Sequence, residues 1–418
     1  MVGGVGVDGV ELFTVALGLG ESWWVSQVEF AEESGRLDLH VAYRRGARFS
    51  CPRPGCGQDQ CPVHDTVDTT WRHLDFFQHK AFLHARVPRI RCGEHGVRLV
   101  SVPWARPGSG FTMLFEALVV TFATAMPMRT VAASVREQDT RVWRIVEHHV
   151  PTARAGQDFA VVCRVGMDET SARTGQDYIS LVADLDTGRV LFAPEGRDAG
   201  TVKEFAADLA AHGGNPKQVH TTSSAMSTAF IAGIKEQLSN AQLTFDRYHL
   251  AATLSEAVDA VRRAEIATRP ELSHTRWLWL QNWSHLSTGQ RRELPLLLRP
   301  SAQLATARAL RWREDVHAFY DQDPSYAVDY LRSWCAGAKR SRLQPIKEFV
   351  DLVRRHWDGI LAWHRRRVSN GLWEGTNSLL QAAKARARGY RNKDKMITIA
   401  YLIAGTLPLP TVTNPSPA

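Results

Sequence analysis

The sequence predicts a multidomain α+β protein: a Cys/His-bearing strand module, a helix-turn-helix, and a mixed-sheet domain interrupted by an all-helical insertion. Three observations predict it. Four of the six cysteines (Cys51, Cys56, Cys61, Cys92) fall in the first quarter among alternating, strand-like residues. Two short helical patterns with a tight break fill most of residues 112–150. Strand texture begins at Phe159 and yields near Leu250 to a Trp-rich helical stretch, in a chain of 418 residues that exceeds one ordinary core.

The formal charge of +8 favours a polyanionic partner. The cations crowd the last quarter, from Arg354 and Arg355 through Arg365–Arg367 to Lys393 and Lys395. No apolar run approaches the roughly 20 residues that span a bilayer, and no signal-peptide pattern opens the chain. A cytoplasmic protein without a membrane partner is expected.

Val2 to Gly20 is Gly-rich and reads as a loose start. Trp23 to Tyr43 alternates about Ser34-Gly35, a hairpin. CPRPGCGQDQCPVHD then reads as loop, Thr70 to Arg91 as two strands, and RCGEHG closes the module at about residue 105. In a reducing compartment such cysteines suit metal ligation better than disulfides. Cys51, Cys56, Cys92 and His95 form the best set, three sulfurs and a nitrogen for tetrahedral zinc in a zinc-ribbon-like module. Cys61 and His64 form a competing CxxH pair, and free thiols on a loop are the plainer alternative. Nothing nearby supplies a general base, so the zinc would be structural.

Residues 106–155 follow a Pro-rich link. A helix covers Thr112 to Thr124, then MPMRTVAASV, the break REQ, and DTRVWRIVEHHV capped by Asp139 or Thr140. Val142, Ile145 and Val146 would pack inward while Arg141 and Arg144 face outward toward DNA. An ordinary three-helix packing unit would show the same pattern.

Residues 156–250 carry the strands. FAVVCRVGMDET is an apolar run ending in Asp168, and YISLVADLDTGRVLFAP a hairpin turned at Asp186-Thr187-Gly188. A helix at Thr201–His212, the strand QVHTTSS, a helix at Met226–Leu238 and the strand AQLTFD complete the set. The first and fourth strands can then lie parallel, with their carboxyl ends converging. Residues 251–366 form the insertion, whose tryptophans should be core. Residues 367–407 return to the sheet domain, and 408–418 form a flexible tail.

Within that return, Glu374, Asn377, Gln381, Lys384 and Arg388 share one helical stripe, with Trp373, Leu380, Ala383 and Ala387 on another. A metal-binding carboxylate beside phosphate-binding cations suits chemistry on a nucleic-acid backbone. The plainer reading is a solvated, salt-bridged surface helix.

Together the Cys/His segment, WRHLDFFQHKAFLHARVPRIRC, MDET, FDRYHL and NGLWEGTNSLLQAAKARARGYRN are highly specific in this order. Over nearly its whole length the chain resembles transposases of the ISL3 insertion-sequence family (the IS204/IS1001/IS1096/IS1165 group). The resemblance implies an RNase H-like catalytic domain with an Asp-Asp-Glu triad. Asp168 matches the first Asp and Glu374 the Glu. The segment that usually reads Asp-Met-Ser is here SSAMSTAF, with Ala225 in place of the second Asp. Either Ala225 is an inactivating substitution that traps a DNA complex, or the second carboxylate is Asp246 of DRYH, an Asp-x-x-His motif. The first is favoured, leaving Asp246, His249, Asn370 and Asn377 as near-site supports.

The resemblance further implies two Mg²⁺ ions, with Mn²⁺ as a substitute, driving strand cleavage and transfer. Lys384, Arg386, Arg388 and Arg391 would hold phosphates. The zinc module and helix-turn-helix would bind terminal inverted repeats, with target DNA as second substrate, in a nucleoid-associated homodimer. Two rivals remain: a zinc-containing sequence-specific DNA-binding regulator with a non-catalytic nuclease-like domain, and a repair or RNase H-type nuclease.

Overall fold

A computed structural model describes residues 9–20, 22–172, 178–196, 198–245, 247–299, 303–366 and 371–415, without the side chains of 365–366 and 371–374. Asp246 and Asn370, both expected near the site, lie outside the described residues. The chain divides into two units, residues 1–153 with 407–418, and residues 154–406.

In the first unit, α1 (Gly9–Ala16) occupies part of the expected loose start. The strands are β1 (Trp23–Ala31), β2 (Arg36–Tyr43), β3 (Arg48–Phe49), β4 (Cys61–Arg72), β5 (Lys80–Cys92) and β6 (Gly96–Leu99). They form one sheet in the order β1-β2-β5-β4-β3, with β6 on β5. The β1–β2 hairpin turns at Gly35, whose φ of +57° suits glycine. The segment CPVHD, expected as loop, is instead the start of β4. Its Pro62 pairs with the two-residue edge strand β3, where a missing donor is tolerated, and a register shift at Val63/Asp65 absorbs the irregularity. Trp23, Leu39, Trp71, Leu83, Ile90 and Trp104 fill the core beneath the sheet.

Three helices follow: α2 (Met113–Ala125), α3 (Met128–Ser134) and α4 (Asp139–Ala155). Thr112 caps α2 by accepting the Phe115 N–H at 3.3 Å, and its hydroxyl lies 2.9 Å from His73 Nδ1. Val142, Ile145 and Val146 are buried on α4, as expected, and Arg144 is exposed. Arg72, 2% exposed, joins sheet to helices. Its guanidinium bonds Asp75 and the carbonyls of His73 and Ala81, and lies 3.7 Å from Glu137.

Burial and the Arg72 charge hold His73 down at about 4, below its ordinary 6.5. The unfolded chain therefore binds more protons between these values, so stability is complete above about pH 6.5 and falls as pH drops toward 4. The loss should approach about 3 kcal/mol at most. Urea midpoints measured from pH 4 to 7 should rise with pH, and His73→Gln should flatten that rise.

The second unit opens with β7 (Arg164–Ser171), β8 (Tyr178–Asp184) and β9 (Val190–Phe192), then α5 (Ala199–Ala211), β10 (Thr221–Ser224), α6 (Thr228–Gln237) and β11 (Gln242–Phe245). The sheet order is β11-β10-β7-β8-β9, with β8 antiparallel to its neighbours β7 and β9, and β10 and β11 parallel to β7. The first and fourth strands of this unit are thus neighbours, as the sequence predicts. β7 starts later than expected, at Arg164, because Phe159 to Val162 form a turn.

The insertion comprises α7 (Arg247–Glu265), α8 (Arg276–Leu280), α9 (Thr288–Leu297), α10 (Ala305–Tyr320), α11 (Pro324–Lys339), α12 (Gln344–Arg355) and α13 (Trp357–Arg366). Trp279, Trp334 and Trp363 are buried in its core, whereas Trp277 and Trp283 are more than half exposed and depart from that expectation. α13 returns to the sheet at Gly359, where any Cβ would strike the Phe245 ring of β11. α14 (Gly371–Arg386) and α15 (Lys393–Ala404) close the unit. Residues 407–415 group with the first unit; the sequence places a flexible tail at 408–418.

Candidate active site and metal centre

Asp168 lies on the central strand of the second unit, not at its end. β10 stops at Ser224, opposite Met167, while β7 continues to Ser171 paired with β8. Asp168 is therefore the first β7 residue beyond the β10 pairing, and Ala225 follows Ser224 at the same level. Asp168 Oδ1 accepts the Glu169 N–H at 2.7 Å and lies 3.4 Å from His249 Nε2. His249 reaches it because α7 begins at Arg247, placing that ring in the first helical turn.

α14 runs beside β7 and bonds it at successive turns. Asn377 Nδ2 donates to Asp168 Oδ2 at 3.3 Å, Gln381 Nε2 to Thr170 Oγ1, and Lys384 Nζ to Ser171 O at 2.5 Å. Thr376 Oγ1 adds a bond to Gly188 O at 3.0 Å. Glu374 stands on α14 three residues before Asn377, nearly one turn away, and its side chain lies outside the described residues. Asn377 Oδ1 is buried with no hydrogen-bond partner among the described residues. A buried acceptor left open next to a carboxylate is an oxygen site suited to a cation or its water.

Among the expected phosphate contacts, Lys384 also donates to Ser171 O and so helps to hold α14 on β7. Arg386, Arg388 and Arg391 are exposed, and Arg388 and Arg391 line a cavity with Lys384, Gln381 and Tyr390. In α4, Arg141 bonds Glu137 Oε2 at 2.6 Å and covers the Phe111 ring at 4.4 Å, whereas Arg144 points to solvent. Thr170, Ser171 and the Arg72–Glu137 link were not signalled in the sequence, because ordinary polar residues matter there only through partners distant in the chain.

In the first unit, one ligand atom each from Cys51, Cys56, Cys92 and His95 converges within 4.8 Å of the others. His95 Nδ1 lies 3.2, 3.7 and 3.8 Å from the sulfurs of Cys56, Cys92 and Cys51, and the Cys56 and Cys92 sulfurs are 3.6 Å apart. Tetrahedral zinc with bonds of about 2.0–2.3 Å spaces its ligands by roughly 3.5–3.8 Å. The donor set fits zinc in both chemistry and spacing. Burial and the neighbouring sulfurs push the Cys56 thiol up. Burial also opposes the Cys92 thiolate, yet the N–H groups of His95 and Glu94 bring its thiol down. Cys61 and His64 stand outside this quartet. Cys61 Sγ faces Gln58 O at 3.6 Å, and exposed His64 faces Arg91 at 3.4 Å.

Residues 165–400 match a family model described as a transposase, residues 100–150 the helix-turn-helix domain of transposase family ISL3, and residues 48–95 the zinc-finger of transposase IS204/IS1001/IS1096/IS1165. The first match alone covers more than half of the chain. The chain belongs to the ISL3 family of transposases. It is similar to the transposase for insertion sequence element IS1557 of two Mycobacterium tuberculosis strains, 27% identical over 445 residues and 96% of each chain. It is also similar to the transposase for insertion sequence element IS1001 of Bordetella parapertussis, 25% identical over 397 residues, covering 91% of this chain and 94% of the relative.

Proposed function

We propose that the chain binds the terminal inverted repeats of its own insertion sequence, and that its second unit is built for Asp-Asp-Glu strand cleavage and strand transfer. The observation that carries this is the meeting of Asp168, position 225 and the Glu374-bearing helix at adjacent parallel strands. Asp168, Glu374 and the open Asn377 Oδ1 are the residues that would hold Mg²⁺, with Mn²⁺ able to replace it. Bound there, the metal would supply Lewis-acid stabilisation of the attacking and leaving phosphodiester oxygens. Alanine at 225 offers no side-chain oxygen, so this copy is expected to hold DNA without cutting it. His249 and Asn377 orient the Asp168 carboxylate, Gln381 and Lys384 fix α14, and Arg386, Arg388 and Arg391 meet phosphates.

The zinc module and helix-turn-helix supply end recognition. Both element ends must be processed together, which makes a homodimer the simplest assembly, with target DNA entering afterwards. Among the described residues no helix is long and apolar enough to cross a membrane. Binding to duplexes carrying the inverted repeat, against random duplex, tests the reading directly. Arg144→Ala should weaken end binding and lower the slope of log affinity against log salt by about 1. Equal affinity for random and inverted-repeat duplex would remove end recognition.

A further inference from the structure

The hairpin from β4 to β5 ends in a two-residue turn, Phe77-Gln78, closed by reciprocal backbone bonds between Phe76 and His79 at 2.9 and 3.0 Å. Phe77 has φ +52° at the first turn position, where glycine or asparagine is the usual solution. Its side chain is 81% exposed. Phe76 leans on Phe13, with ring centroids 5.5 Å apart, and supports Phe77 edge-on at 4.6 Å. The residue thus bears backbone strain and contributes almost no burial. A local rule broken without a folding benefit marks a functional position.

The tip is fixed to the helix-turn-helix. Asp75 accepts from both Arg72 and Arg136, and Lys80 Nζ donates to Arg136 O at 3.1 Å. Arg136 itself sits in the turn between α3 and α4. Two guanidinium groups neutralise Asp75, and Lys80 and Arg136 flank the aromatic tip.

We propose that Phe77 is a wedge that inserts at a base step of the duplex beside the groove read by α4, with Lys80 and Arg136 on the neighbouring phosphates. Apolar wedges between base steps unstack and kink DNA, which allows a protein to cover more of it. Phe77 projects furthest, at 81% exposed against 40% for Phe76 and 50% for Phe30, and the cations on either side of it favour a phosphate backbone over the apolar face of a second copy. The inference rests on the end-binding reading above.

The test uses the full chain, its Phe77→Gly and Phe77→Trp variants, and inverted-repeat duplexes carrying 2-aminopurine at successive positions. Glycine suits the turn, so Phe77→Gly should keep its zinc and melt at the same temperature or higher. Its affinity for the inverted-repeat duplex should nevertheless fall about tenfold or more, and the local 2-aminopurine signal should vanish. Phe77→Trp should retain both. Unchanged affinity and signal in Phe77→Gly would overturn the wedge. So would a loss that follows lost self-association in sedimentation, which would mark a contact between copies. If the parent chain does not prefer inverted-repeat over random duplex, end binding itself fails, and the wedge with it.

Discussion

Ala225→Asp is expected to switch on Mg²⁺-dependent nicking of duplexes carrying the element's inverted repeats. Position 225 follows Ser224 at the level of Asp168, on adjacent parallel strands, so an aspartate there would put a second carboxylate beside the first. Metal stabilisation of a phosphodiester transition state is worth several kcal/mol, on the order of a thousandfold in rate. Gel assays of end-labelled DNA should show the gain, and Asp168→Asn or Glu374→Gln in the same background should abolish it. Ala225→Asn should not restore cleavage, since an amide cannot supply the missing charge. Cutting by the unchanged chain that disappears in Asp246→Asn would instead assign the second carboxylate to Asp246.

Removing zinc should have the second large effect, confined to end recognition and the stability of the first unit. The quartet joins the loop after β3 to the end of β5 and the turn that follows it. In small structural zinc sites the metal contributes on the order of 10 kcal/mol of folding free energy. Cys92→Ser, or a strong chelator, should release zinc, speed amide exchange across residues 48–95 and abolish specific DNA binding. Zinc content by mass spectrometry together with hydrogen exchange checks this. A metal-free chain with unchanged exchange and binding would contradict it.

Much of this was legible because the signals were local. The Ser34-Gly35 turn, the helix that starts near Thr112, the buried face of α4 and the pairing of the first and fourth strands around β7 all follow from short patterns. Residue type and spacing made Cys51, Cys56, Cys92 and His95 the best zinc set but left Cys61 and His64 in competition, and only the geometry separates them. Other features depend on partners far along the chain. Nothing near Arg72 announces a buried guanidinium bridging β4 to Glu137, and nothing near Thr170 announces Gln381. Asp168 looked like a strand end because apolar residues stop there. Pairing with β8 carries the strand three residues further with polar side chains. Lys384 reads as a phosphate contact in sequence, and nothing local shows that one of its three N–H donors also binds the Ser171 carbonyl. Charge is visible in a sequence, whereas its commitment to a partner is not.

Asp168, position 225 and Glu374 are expected to form one metal site. Anomalous diffraction from Mn²⁺-soaked crystals of the Ala225→Asp variant bound to inverted-repeat DNA tests it most directly. Anomalous peaks are expected within bonding distance of the carboxylates of Asp168, the new aspartate and Glu374, about 2.0–2.6 Å from their oxygens. Peaks coordinated by Asp246 in place of position 225, or none near Asp168, would contradict it.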